Sequence, residues 1–115
     1  MDDAFSLSRV LQTVEKTASG ADFHCRVDSR FAGFDGHFRG MPVVPGVCQI
    51  HWVFEAVARL TGAPFPCREL ARMKFHNLLV PDTSFVISIE RGKGGWQYRL
   101  HQNGQIFASG KLMGR

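Results

Sequence analysis

The sequence is short of the features that mark several protein classes. Its three cysteines, Cys25, Cys48 and Cys67, are odd in number and widely spaced, which fits neither a disulfide framework nor a CxxC metal or redox pair. A reducing compartment, the cytoplasm, is the expectation that follows. No apolar run approaches the roughly 20 residues of a membrane-spanning helix, and the start Met1-Asp2-Asp3-Ala4-Phe5 is acidic where a signal peptide would be basic. Neither a span nor a leader is expected. Repeats, low-complexity tracts and linkers are missing as well, and 115 residues hold one core rather than two. Residues 1–115 read as a single domain. None of the five histidines stands with acidic or thiol side chains at metal-ligand spacing, so no metal and no cofactor is expected.

What is present describes a globular chain. Hydrophobic residues make up 44% and charged residues 21%, enough apolar surface to close a core without demanding a membrane. Fourteen Lys and Arg against ten Asp and Glu leave a net charge of +4, which favours an anionic partner. Charge alone leaves nucleic acid, a membrane surface and an acidic protein open.

Alternation with period two marks the strands. Ala21, Phe23, Cys25 and Val27 alternate with Asp22, His24, Arg26 and Asp28, and Phe85, Ile87 and Ile89 do the same between residues 84 and 90. Trp96, Tyr98 and Leu100 alternate with Gln97, Arg99 and His101 before Asn103-Gly104, the signature of a type I′ hairpin turn whose partner strand is 105–113. Ala71, Met73 and Phe75 mark a further strand, and 10–16 a weaker one with poor alternation. His24 and His101 are expected to face solvent. One helix interrupts the strands, over 46–60, giving the order β-β-α-β-β-β-β and an α+β fold in which the sheet packs around that helix. A helical projection puts Val47, Ile50, Val53, Phe54, Val57, Ala58 and Leu60 on its buried half. The other half carries His51, Glu55 and Arg59 in a stacked stripe, together with Cys48, Trp52 and Ala56. That half reads equally as a solvated face or as a second interface.

The run Gly36-His37-Phe38-Arg39-Gly40-Met41-Pro42-Val43-Val44-Pro45-Gly46-Val47 leads directly into the helix. Its prolines restrict φ and remove amide donors, and Gly46 permits close backbone approach where the helix begins. The first amides of a helix have no internal partners and lie at the positive end of its dipole, where they can hold a carbonyl oxygen turning into an enolate. His37, nine residues earlier, is a natural proton carrier. Composition alone is equally consistent with a Pro/Gly turn that bears a surface histidine.

The pattern His-Phe-x-Gly-x-Pro-x-x-Pro-Gly-Val over 37–47 closely resembles the active-site motif of the β-hydroxyacyl-acyl-carrier-protein dehydratases. Met73-Lys74-Phe75 through Val80-Pro81-Asp82, and the stretch 106–113, resemble later segments of the same family. The resemblance implies the hot-dog fold, a long antiparallel sheet wrapped around one helix. It also implies dehydration of a 3-hydroxyacyl thioester to the trans-2-enoyl thioester in fatty-acid or polyene-type biosynthesis, without a cofactor. His37 then matches the catalytic histidine, and Gly46 the glycine whose N–H polarises the thioester carbonyl. The implied partners are acyl carrier protein, with its phosphopantetheine-linked substrate, and a second subunit. That subunit is either another copy, in a homodimer or higher oligomer, or a related chain. No nucleic-acid partner is implied.

Two positions depart from the family. Where it has an Asp or Glu, fourteen residues after the histidine, this chain has His51, and four residues further, where it has Gln, stands Glu55. Either Glu55 supplies the carboxylate, or His51 acts as the acid while Glu55 sets its tautomer and favours its charged form. Arg39 replaces a common proline and reads as a loop arginine. The segment Val47-Cys48-Gln49-Ile50-His51-Trp52 resembles a divergent, aryl-polyene-type branch, which implies an unusual acyl chain in a channel lined by Phe38, Val47, Trp52 and Phe75. A hot-dog thioesterase and an inactive, carrier-binding subunit are the competing readings.

Overall fold

The computed structural model describes residues 3–32 and 42–114, and its order of strands and helix is the one that the periodicities predict. Two short 3-10 segments, Asp3–Phe5 and Leu7–Arg9, precede it. The strands are β1 (Leu11–Lys16), β2 (Gly20–Val27), β3 (Glu69–Phe75), β4 (Thr83–Gly92), β5 (Gly95–Gln102) and β6 (Gln105–Met113), with the helix α1 (Gly46–Thr61) between β2 and β3. They form one antiparallel sheet in the order β1-β2-β4-β5-β6-β3. Register follows the hydrophobic alternation. Phe23 pairs with Ile87 and Ile87 with Leu100, so three buried side chains share one row of the inner face. Asn103 and Gly104 take φ values of 48° and 82°, as a type I′ turn requires. β1 alternates poorly because it is an edge strand with a register shift between Leu11 and Thr13, and its residues past Leu11 are exposed.

α1 ends at Gly62, whose φ of 87° places it in the left-handed region while its N–H donates to Ala58 O at 2.8 Å. The face it buries differs from the projected one. Cys48, Gln49, Trp52, Val53, Ala56 and Val57 are the buried residues, a stripe at i, i+1, i+4 and i+5 that lies on the sheet. Val47 is instead 66% exposed, and Ile50, Phe54 and Ala58 are only half-buried. The reason is the anchor. Trp52 is fully buried, stacks on Phe85 of β4 with centroids 5.6 Å apart, and leans on Phe31 at 5.4 Å. So large a side chain fixes the helix rotation, because burying it removes more apolar area from water than Val47 or Phe54 could. Val47 is consequently left open, while Ile50 and Phe54 pack only partly against the core, at the flank of the buried face, with His51 beside them.

Candidate active site

The entry to α1 is tied down on both sides. Val44 N–H donates to Leu79 O at 2.7 Å, and the side-chain amide of Gln49, which is almost fully buried, donates to Val44 O at 3.1 Å. Pro45 caps the helix, its carbonyl accepting from Cys48 N–H at 3.0 Å and from Gln49 N–H at 3.3 Å. The amides of Gly46 and Val47, the first two of the helix, have no intrahelical acceptor and point out along its axis at the positive end of the dipole. Phe75, at the end of β3, lies directly over this terminus. A methyl group on Gly46 would stand 2.7 Å from Phe75 Cζ, so only glycine leaves the ring where it is. Two residues singled out from sequence, Gly46 and Phe75, are thereby brought into contact.

One and a half turns along, His51 Nε2 donates to Glu55 Oε1 at 2.9 Å, and both side chains are about three-quarters shielded. The same oxygen accepts Leu7 N–H at 3.0 Å. With Nε2 committed to the carboxylate, Nδ1 is the ring nitrogen left to face a ligand. Glu55 Oε1 thus has two donors, which hold the carboxylate in place beside His51.

The other predicted positions divide. Val47 stands on the open face of α1, beside the helix terminus. Trp52 is a core residue whose indole N–H donates to Phe5 O at 3.0 Å, and it reaches no open surface of this chain. His37 and Phe38 lie outside the described residues, as does Arg39. Gln49 and Leu7 were not singled out from sequence. A glutamine within an apolar helical run was a visible signal for the first; the second acts through its backbone, which no side-chain pattern reveals. Cys48 sits at the same end of the helix, but burial pushes its thiol up, away from the reactive thiolate.

The outer face of the sheet carries a second polar cluster. Ser88 Oγ donates to Asp22 Oδ1 at 2.7 Å and stands 2.7 Å from His101 Nε2. The serine proton goes to the aspartate and not to the histidine, so these three residue types do not form a catalytic triad. His101 is half-buried, contrary to the exposure expected beside a hairpin, because Ser88 holds it down on the sheet; desolvation, then Arg99, lowers its pKa below the usual histidine value. His24 pairs with Glu15 at 3.3 Å. Among the described residues no three His, Cys, Asp or Glu side chains are grouped to hold a metal, and no helix is long and apolar enough to cross a membrane.

Comparison with known proteins gives the family and the fold. The family model described as ApeI-like, ApeI dehydratase, matches residues 12–111. Among solved structures, a chain of the dehydratase heterocomplex ApeI:P from Xenorhabdus doucetiae superposes with a TM-score of 0.82 at 25% identity, covering 90% of this chain and 95% of that one. An uncharacterized protein from Erwinia carotovora subsp. atroseptica gives a TM-score of 0.67 at 23% identity over 90% of each chain, a likeness of fold. No curated protein sequence matches the chain significantly. The architecture is the hot-dog fold that the sequence motif implied.

Proposed function

Because the chain belongs to the ApeI-like dehydratase family, we propose that it removes water from a 3-hydroxyacyl thioester carried on acyl carrier protein, giving the trans-2-enoyl thioester. The observation that carries this reading is the His51–Glu55 pair beside the Gly46 terminus of α1, on the side of the helix its own sheet leaves uncovered. In this mechanism Gly46 N–H receives the thioester oxygen as negative charge develops on it. His37 takes the C2 proton, the C2 electron pair becomes the C2=C3 double bond, and the C3–O bond breaks. Protonated His51 gives its Nδ1 proton to the departing hydroxyl, which leaves as water, while Glu55 stabilises the imidazolium. A proton then returns from His37 to His51 through solvent. The cycle closes without a cofactor.

The exposed Val47 of α1 and the exposed Leu70, Met73 and Phe75 of the edge strand β3 support a site completed by a second subunit. Such a subunit is either another copy or a related chain. The second reading, an inactive subunit that pairs with an active relative, draws on the ApeI:P structure being a heterocomplex. One assay separates them: 3-hydroxyacyl carrier protein is incubated with the purified chain, and enoyl product is followed by mass alongside His37→Ala, His51→Ala and Glu55→Gln. Enoyl formation lost in the first two variants supports the proposal. No dehydration, and no hydration of the enoyl thioester, by the wild-type chain rejects it in favour of the inactive subunit. Release of free acid would indicate a thioesterase.

A further inference from the structure

The N-terminal segment is clasped onto α1 at two points beside the candidate site. Phe5 O accepts the indole N–H of Trp52 at 3.0 Å, and Leu7 N–H donates to Glu55 Oε1 at 3.0 Å, so residues two apart on the segment meet residues three apart on the helix. The clasp has its own footing. Leu7 buries its side chain completely, Phe5 sets its ring edge-on to Phe31 with centroids 6.3 Å apart, and Val10 O accepts Arg26 N–H of β2 at 2.9 Å. Ser6, Arg9 and Val10 turn their amides inward, to Asp3 O, Ser6 O and Leu7 O, each at 3.0 Å, whereas Leu7 turns its amide out to the helix. Held by main chain and core, that amide has far less freedom than the side chains it meets. His51 and Glu55 are four apart on one helix, and such a pair fixes neither side chain by itself, because each gives up rotamer freedom to hold the contact.

We infer that Leu7 is a positioning residue for the proposed acid, acting through its backbone N–H. The inference rests on the proposed function, in which the His51 proton leaves from Nδ1. With Oε1 held by Leu7, the carboxylate stands where it accepts from His51 Nε2 at 2.9 Å, and a proton kept on Nε2 leaves Nδ1 as the exchanging nitrogen. Released from Leu7, Glu55 takes other rotamers, the imidazole can turn over, and the two nitrogens exchange roles. The dependence lies in the amide and not in the leucine side chain, so Leu7→Ala retains it and Leu7→Pro abolishes it. Proline otherwise suits the position. Leu7 opens its 3-10 segment, and Ser6 before it has φ −74° and ψ 158°, the extended backbone that a following proline favours.

The test compares Leu7→Pro with Leu7→Ala, which both lose the buried side chain but differ in the N–H. Protein carrying nitrogen-labelled histidine is observed by NMR at alkaline pH, where imidazole is neutral, and the His51 signals are identified by their absence in His51→Ala. Expected is one tautomer, protonated on Nε2, in the wild type and in Leu7→Ala, and a mixture of two in Leu7→Pro, with the signals of His24, His76 and His101 unmoved. Turnover of 3-hydroxyacyl carrier protein is measured alongside. Leu7→Pro should have a kcat roughly ten- to a hundredfold below that of Leu7→Ala at similar KM, and the two should be equal once His51→Ala is added. If melting shows that Leu7→Pro does not fold, leucic acid at position 7, which replaces the N–H by oxygen and keeps the side chain, is compared with wild type under the same expectations. A His51 tautomer that the loss of the N–H leaves unchanged overturns the inference, as does equal kcat in an active pair. A tautomer shift in Leu7→Pro, in a protein whose wild type dehydrates nothing, keeps the positioning role of Leu7 and rejects the dehydratase reading.

Discussion

A single oxygen of Glu55 holds both His51 Nε2, at 2.9 Å, and the backbone N–H of Leu7, at 3.0 Å. The N-terminal 3-10 segment therefore reaches across to the central helix and fixes the carboxylate that fixes the histidine. Glu55→Ala should leave the part-buried Leu7 N–H unsatisfied and cost about 1–3 kcal/mol in urea unfolding. Glu55→Gln, which keeps an acceptor oxygen, should cost less. On the proposed mechanism His51→Ala lowers dehydration by about 10²–10⁴-fold, and Glu55→Gln by a smaller factor together with a changed pH–rate profile. Equal loss in Glu55→Gln and His51→Ala would move the acid role to Glu55.

Gly46 and Phe75 should behave as a coupled pair. Gly46→Ala forces the half-exposed Phe75 ring aside, since the new methyl falls 2.7 Å from Cζ. The ring can move, and alanine favours helix by about 1 kcal/mol over glycine, so the melting temperature should change little. Turnover should fall, because the ring above the helix terminus is displaced. In a double-mutant cycle, Phe75→Ala should remove most of the effect of Gly46→Ala; additive effects would count against direct contact.

Trp52 should report on stability rather than on substrate choice. Trp52→Ala empties the space between Phe31 and Phe85 and strands Phe5 O, and about 3–5 kcal/mol of destabilisation in chemical unfolding is expected. A variant with altered chain-length preference but wild-type stability would place Trp52 in the substrate channel after all.

His101 gives a pH dependence of definite sign. Burial and the Arg99 guanidinium lower its folded pKa, against a raising contribution from Asp22 and a further lowering one from His24. The unfolded chain, with an ordinary histidine pKa of about 6.5, then binds the proton more readily. Stability contributed by this residue should therefore rise with pH through the window between its lowered folded pKa and about 6.5, and fall on acidification. His101→Gln should flatten that part of the curve of unfolding free energy against pH. An unchanged slope would assign the acid sensitivity to other groups.

Association should be separable from folding. Val47 and Phe75 are 66% and 48% exposed, so V47D/F75D should cost the single chain little. Sedimentation equilibrium should show its assembly, with itself or with a related subunit, weakened at least tenfold. Association at wild-type strength would place the interface elsewhere.

Much of this molecule was legible in its sequence. Side-chain alternation determined β2, β4 and β5, because a sheet with one buried face must repeat every second residue, and Asn103-Gly104 determined the turn after β5 and with it the partner strand β6. The Pro-x-x-Pro-Gly run placed the start of the helix to the residue, since proline and glycine act through their own backbone angles. What the sequence could not determine was the rotation of that helix. Periodicity showed apolar residues on more than one side, and only packing decided among them, when Trp52 met Phe85, leaving Val47 exposed and Ile50 and Phe54 at the half-buried flank. Leu7 was invisible for a related reason, since it serves by an amide that every residue owns, whereas Gln49 stood out as a polar residue in an apolar run but its bond to Val44 O appeared only in the fold. The net charge of +4 is read from the sequence, but it took the pairing of β6 with both β5 and β3, strands far apart in the chain, to gather Lys74, Arg99 and Lys111 on one face.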